Sequence, residues 1–344
     1  MTENGVLTIG YIGNGKSVNR YHIPYVLTMP DKFRIKAVYS RNHEQDTWHE
    51  VPGIAYTGEL GSLLCDPEID IISVNTGTRT HFQFAKQVLL AGKHCLVEKP
   101  FTESESEARE LFALARERGL TVEAYQNRRF DSDYLTVKRV LASGRLGELT
   151  ELESHYDYYR PEIPMSVEKY SIETSYVYNH ACHTLDQVLG LFGIPERVHY
   201  DVRQLLGPGR MNDYFDVDLF YDGFKASVKS SYFRIKPRPK FTVYGRRGMF
   251  VKQTEDRQEE DLKRFYMPGS PGFGEDRPDE YGTLVFMDEN DTYHEEKVVT
   301  EKGSYAMYYS ALYDTVANGA PPLIKPEETV FLMRMLEEAT KDLK

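Results

Sequence analysis

Short apolar runs alternate with amphipathic stretches from Leu7 to about Tyr125. Leu7–Ile12, Ile35–Tyr39, Ile69–Asn75, His94–Glu98 and Leu120–Tyr125 are rich in Val and Ile and predict strands. Between them, Thr80–Ala91 and Ser104–Arg118 predict helices, the second with Ala108, Leu111, Phe112 and Ala115 at helical spacing. Ser104 with Glu107 three residues on is a capping-box pattern, and Gly119 is a stop signal. Strands that are apolar throughout and alternate with helices predict a parallel sheet covered on both faces.

The pattern changes after Gln126. A helix over Ser132–Ser143 ends at Gly144 and Gly147, and strand-like runs follow at Leu149–Tyr159, Arg197–Leu205, Asp213–Tyr221, Lys225–Ile235 and Lys240–Val243. Asp222-Gly223 separates two of these runs as a hairpin turn would, and Gly245–Gly248 separates another two, which predicts a mostly antiparallel, open sheet. Helices are expected at Cys182–Leu191, Tyr305–Asn318 and Pro326–Leu343, and a loop from Met267 to Pro278. The fold class is therefore α/β: a doubly wound parallel sheet over residues 1–125, then an α+β domain over 126–344 whose sheet can leave one face free for a partner.

Length and charge agree with this division. A chain of 344 residues exceeds one ordinary core. The net charge of -11, without a basic block, argues against a nucleic-acid partner. Cys65, Cys95 and Cys182 are odd in number and form no CxxC, which suggests neither a disulfide framework nor a cysteine zinc site. The polar start, Met1 to Val6, has no cationic segment followed by an apolar one, and no run approaches the ~18 residues that span a bilayer. The expectation is a cytoplasmic protein with a small-molecule substrate and no membrane partner.

Leu7-Thr8-Ile9-Gly10-Tyr11-Ile12-Gly13-Asn14-Gly15-Lys16-Ser17 admits two readings. Gly13-x-Gly15 at a strand end opens a dinucleotide fingerprint: the first glycine makes the turn and the second lets backbone N–H groups approach a pyrophosphate, with Lys16 and Ser17 beside it. The third fingerprint position is Val18. Gly10, Gly15, Lys16 and Ser17 also satisfy the P-loop spacing. Against it, Gly10 lies inside the apolar run, Pro24 interrupts the helix a P-loop needs, and no later strand ends in an aspartate suited to Mg²⁺. After the second strand come Ser40-Arg41 in place of the acid that bonds a ribose 2′-OH, which favours NADP(H) over NAD(H); an arginine in a solvated loop is the plainer alternative.

Ala91-Gly92-Lys93-His94-Cys95-Leu96-Val97-Glu98-Lys99-Pro100 resembles the AGKHVLVEKP signature of the Gfo/Idh/MocA oxidoreductases, the family of glucose–fructose oxidoreductase and inositol dehydrogenase. The resemblance takes in the glycine turn, Asp66-Pro67-Glu68-Ile69-Asp70 before a strand, His81, Gly144-x-x-Gly147, and His183-x-x-Asp186. It implies a Rossmann domain followed by an α+β domain whose open sheet forms a homodimer or larger homo-oligomer. It further implies an active site between the domains, with Lys99 near a nicotinamide, Thr76, His81 and Glu98 toward the cofactor, and a cis bond at Lys99–Pro100. Asn179 stands where the family often has an aspartate four residues before the histidine, and Ala181 where it has a glycine. An asparagine orients a hydroxyl but takes no proton.

Oxidation of a CH–OH needs a base for the hydroxyl proton while hydride leaves, and a histidine such as His183, with a reference pKa near ~6.5, suits that exchange. Lys99 could polarise the substrate oxygen or relay its proton. His183 and Asp186, three apart on one helix, could instead bond each other or the backbone. His180, Cys182 and His183 do not place three ligands on one helical face, so no metal is expected. Arg128 or Arg129, Tyr158 among many tyrosines, and Asn179 are candidate substrate contacts for a sugar or polyol; a half-buried aromatic strand is the bland account of the tyrosines. A cofactor-binding sensor without turnover is the competing functional class, favoured by Asn179 and opposed by the intact Glu98-Lys99-Pro100.

Overall fold

The computed structural model describes residues 5–162 and 169–343; the polar start at 1–4 lies outside them. The chain divides into two compact units that are not contiguous in sequence. The first takes the residues up to Asn127 with Glu260–Phe273 and Tyr305–Met333; the second takes Arg128–Glu259, Gly274–Ser304 and the residues from Arg334 on.

The first unit is built on a six-stranded sheet. Its strands are β1 (Leu7–Ile12), β2 (Phe33–Tyr39), β3 (Ala55–Thr57), β4 (Ile71–Val74), β5 (His94–Val97) and β6 (Val122–Ala124). They lie in the order β3-β2-β1-β4-β5-β6, every pair parallel. This is the doubly wound order in which ligands bind outside the carboxyl ends of the strands, where the order reverses. All six residues of β1 are buried, as a central parallel strand requires. Short helices α1 (Ile23–Val26) and α2 (Leu60–Leu64), then α3 (Thr78–Leu90) and α4 (Glu105–Arg118), connect the strands. The Ser104 hydroxyl accepts from Glu107 N at the start of α4, and Gly119 closes it at φ 64°. The capping is shifted by one residue from the usual box, because the Glu107 carboxylate accepts from Glu103 N.

The second unit carries an eight-stranded sheet. With α5 (Ser132–Ala142) and α6 (Cys182–Phe192), its strands are β7 (Leu149–His155), β8 (Arg197–Arg203), β9 (Tyr214–Tyr221), β10 (Phe224–Ser231), β11 (Phe241–Gly245), β12 (Gly248–Lys252), β13 (Gly282–Met287) and β14 (Tyr293–Val298). Their order is β14-β13-β12-β11-β7-β10-β9-β8, antiparallel except for β7 with β10. The expected mostly antiparallel sheet is present, and hairpins turn at Asp222-Gly223 and Arg246-Arg247. Two strands are shorter than their apolar runs. β10 stops at Ser231 ahead of Pro237 and Pro239, which cannot donate to a ladder, and β7 stops at His155, beyond which Tyr159 keeps one isolated bridge to Phe233. Short helix α7 (Gln258–Lys263), α8 (Ala306–Asn318) and α9 (Pro326–Thr340) complete the chain.

Candidate active site

The carboxyl ends of β1, β2, β4 and β5 carry most of the expected cofactor residues of the first unit. β1 gives way to Gly13, whose N–H donates to Tyr39 O at 2.7 Å. Gly13 has φ 109°, and a Cβ there would lie 2.5 Å from Asn75 O, so only glycine fits. A Cβ on Gly15 would meet nothing within 4 Å, so the backbone here borders open space on the side where a fingerprint glycine admits a pyrophosphate. Lys16 is exposed beside it. The P-loop reading fails on geometry: Gly10 is a paired residue inside β1, and the following helix is one π-helical turn, Val18–His22, leading into the four residues of α1.

β5 ends at Val97 and delivers Glu98 and Lys99 to the same edge. Glu98 is buried and binds on three sides. Its Oε1 lies 2.9 Å from His22 Nε2 and accepts from the Ser17 hydroxyl, while Oε2 accepts from the backbone N–H of Lys99 at 2.9 Å. Burial alone would raise this carboxyl. The hydrogen bond and charge of His22, the charge of Lys99 and the Ser17 hydroxyl outweigh burial and bring it down to about 2. A carboxylate only accepts, so His22 Nε2 donates to it, and Nδ1 lies 2.6 Å from the Tyr309 hydroxyl. Burial pushes the Tyr309 phenol well above its ordinary value, so it stays protonated. The side-chain amide of Asn75 lies 2.8 Å from His22 Nε2, and the Tyr125 ring lies over the imidazole at 4.0 Å.

Lys99 is half-buried, and its bond to Pro100 is cis, as expected. His81, at the start of α3, is buried, with Nδ1 2.8 Å from Pro100 O and Nε2 3.0 Å from Thr76 O. Burial lowers its pKa against the pull of both carbonyls and of Glu98. His81 thus ties the loop after β4 to the loop after β5. Thr76 shares a hydroxyl contact of 2.7 Å with Thr80. Ser40 follows β2 directly, its N–H donating to Thr57 O, and Arg41 is exposed.

In the second unit, Arg129 grips Asp186 of α6 with two parallel bonds of 2.8 Å, both side chains buried. This geometry is the bidentate fork that a guanidinium makes with a carboxylate, so Asp186 partners Arg129. His183, one turn earlier on α6, is buried at 8% exposure. Asn179 donates from Nδ2 to Glu173 O and Ser175 O, fastening the turn that leads into α6. Tyr158 is half-buried in a ring cluster, 5.4 Å from His180 and 5.8 Å from Tyr232, with Arg160 stacked 4.3 Å from its centroid. Beside it, Lys240 Nζ lies 4.5 Å from the Tyr156 ring, whose other cationic neighbour is Arg128 at 5.3 Å.

Comparison with known proteins decides the family. Residues 7–126 match the profile described as "Oxidoreductase family, NAD-binding Rossmann fold", and residues 138–343 match its C-terminal alpha/beta domain. The chain belongs to the Gfo/Idh/MocA oxidoreductase family. Within it, the chain is similar to the oxidoreductase YhhX of Escherichia coli K12, at 41% identity over 96% of this chain and 95% of that one. It is 29% identical to the scyllo-inositol 2-dehydrogenase (NADP(+)) IolW of Bacillus subtilis 168, over 98% of this chain and 94% of the other. A solved oxidoreductase from Bacillus cereus superposes with a TM-score of 0.93 at 43% identity, covering 98% of this chain and 96% of that one. These relatives are named as oxidoreductases, which gives no support to a sensor without turnover.

His22, Asn75, Tyr309 and Lys240 were not singled out from the sequence. His22-Ile23-Pro24 is the one local signal: a histidine before a proline, just after the glycine turn.

Proposed function

We propose that this oxidoreductase is an NAD(P)-dependent dehydrogenase or reductase that transfers hydride between the nicotinamide and a sugar, polyol or related hydroxyl or carbonyl compound. The observation that carries the reading is the edge of β5, where the Lys99 amide is locked onto a charged, buried Glu98. The residues fit a dinucleotide: the Gly13 turn admits no side chain, and Gly15 borders open space that a phosphate would fill. Gly13, Gly15, Lys16 and Ser17 would hold the pyrophosphate, and Ser40 and Arg41 the adenosine ribose. Thr76, His81, Glu98 and Lys99 would line the nicotinamide side.

The bound cofactor accepts or returns the hydride. Lys99 brings a positive charge to the substrate oxygen, stabilising the alkoxide that forms as the hydroxyl proton departs. His183 is the candidate proton carrier of the second unit, with Arg129, Tyr158 and Asn179 as candidates for orienting the substrate. NADP(H) is the favoured cofactor, supported by Ser40-Arg41 at the end of β2 and by the NADP(+) in the name of IolW. The polyol class takes its support from the same relative. A cytoplasmic setting suits three cysteines of which none is in a disulfide. A homo-oligomer would form through the face of the eight-stranded sheet on which Lys225 and Lys229 interlace with Glu151, Glu153, Asp216 and Asp218.

The test is a panel of sugars and polyols with each nicotinamide cofactor, followed by nicotinamide absorbance, beside Lys99→Ala. The variant should lose about a hundredfold or more in kcat on the compound that turns over. Equal rates in both proteins would remove Lys99 from the reaction.

A further inference from the structure

Asp46 has no place in the sequence reading, yet the fold returns it to the edge of the nucleotide-binding unit. A helical turn at His43–Gln45 folds the chain back after β2. The Asp46 carboxylate then accepts from the Ser40 hydroxyl at 3.2 Å through Oδ1 and from Asn14 Nδ2 at 2.8 Å through Oδ2. Asn14 in turn accepts from Asn19 Nδ2 at 2.8 Å, so the carboxylate is held in a short polar chain. One negative charge therefore bridges the first residue beyond β2 and the middle residue of the glycine turn beyond β1. In a doubly wound sheet those two loops flank the ribose that carries either a 2′-hydroxyl or a 2′-phosphate.

We propose that Asp46 is a specificity-determining residue that disfavours the 2′-phosphate and so keeps NAD(H) competitive with NADP(H); this rests on the dinucleotide reading above. Ser40 has a single hydroxyl proton, and directing it to Asp46 leaves none for a phosphate oxygen. A phosphate dianion brought to Ser40 meets a fixed carboxylate on the same side, and like charges at that range repel. A ribose 2′-hydroxyl carries no charge and can itself donate to the carboxylate. Rossmann proteins that select NAD hold such an acid directly after the second strand; here Ser40 has that place and the acid arrives six residues later by folding back. Arg41, exposed next to Ser40, acts in the opposite sense, so the preference of the protein is set by two opposed side chains.

The experiment measures dissociation constants by calorimetry for ADP-ribose and 2′-phospho-ADP-ribose, with NAD⁺ and NADP⁺ alongside, in the wild type, Asp46→Asn and Arg41→Ala. Asparagine keeps the size of the side chain and an acceptor for Asn14. In Asp46→Asn the 2′-phosphorylated probe should bind about tenfold tighter (~1.4 kcal/mol) while ADP-ribose stays level or weakens. Arg41→Ala should shift the ratio the other way. If Asp46 only anchors its loop, both probes will weaken together and their ratio will hold, which overturns the proposal. If the wild type binds neither probe, the dinucleotide reading itself falls and takes this proposal with it.

Discussion

Replacing Glu98 by glutamine should make the protein less stable near neutral pH, and the difference from the wild type should narrow in acid. The carboxyl falls from its ordinary 4.5 to about 2 in the folded chain, where His22, Lys99 and Ser17 outweigh burial. That preference for the charged form corresponds to about 3 kcal/mol. Because the folded value is depressed, the stabilisation is present in full above pH ~4.5 and is lost as pH falls toward ~2. The substituted amide keeps the length of the side chain but has no charge for His22 to meet. The assay is urea unfolding of both proteins at several pH values from 7 to 3. Trp48, the single tryptophan, lies in the first unit with the Arg20 guanidinium 5.7 Å from its ring, so its fluorescence reports on the unit that holds Glu98. The wild type should exceed the variant by about 3 kcal/mol at pH 7, and the gap should close progressively below pH 4. A gap that is constant from pH 7 to pH 3, or absent at pH 7, would refute the reasoning.

Two further substitutions test other parts of the molecule. Gly13→Ala combines a left-handed φ of 109° with a Cβ placed 2.5 Å from Asn75 O. It should cost about 2 kcal/mol or more in chemical denaturation and abolish dinucleotide binding, whereas Gly15→Ala, with open space around its Cβ, should leave stability within ~1 kcal/mol. Arg129→Met strips a guanidinium from a buried carboxylate and should destabilise by about 3–5 kcal/mol. Adding Asp186→Leu should recover part of that loss in the double mutant, and a simple sum of the two single losses would count against a coupled pair.

The parts of the fold written in short-range pattern were legible. β1 is a continuous apolar run with both ends as expected, and α4 carries its own cap at Ser104 and its own stop at Gly119. Of the edge strands, β6 and β8 were anticipated and β3 and β14 were not. β3 is three residues long and partly exposed, and β14 reads Tyr293-His-Glu-Glu-Lys-Val, with charges where an alternating strand would show apolar residues. Edge strands shed the hydrophobic alternation that reveals central ones, and such charges guard them against pairing with another chain. The site divides in the same way. Glu98-Lys99-Pro100 is contiguous and stands out in one line of sequence. His22 and Tyr309 are 287 residues apart, and Asp46 reaches Ser40 only through a local turn, so neither pairing leaves a periodic signal. Asp186 was weighed beside His183 because they share a helix, yet its partner is Arg129, 57 residues earlier. Spacing within one helix says which side chains are neighbours, and says nothing of what a second segment brings to them.

Tyr308 and Tyr309 of α8 belong to the first unit, the former donating to Ala124 O at 2.8 Å on β6 and the latter hydrogen-bonded to His22. A ribosome making this chain thus releases β6 well before the tyrosine that closes over it, as the sequence separation of 184 between Ala124 and Tyr308 records. At ~5–20 residues per second, that interval is roughly ten to forty seconds in which His22 waits for its phenol. Vectorial synthesis can therefore raise the parallel sheet early but cannot complete the cluster of Glu98, His22 and Tyr309 until α8 has emerged, and a fragment cut at the end of β6 would be a scaffold lacking its keystone.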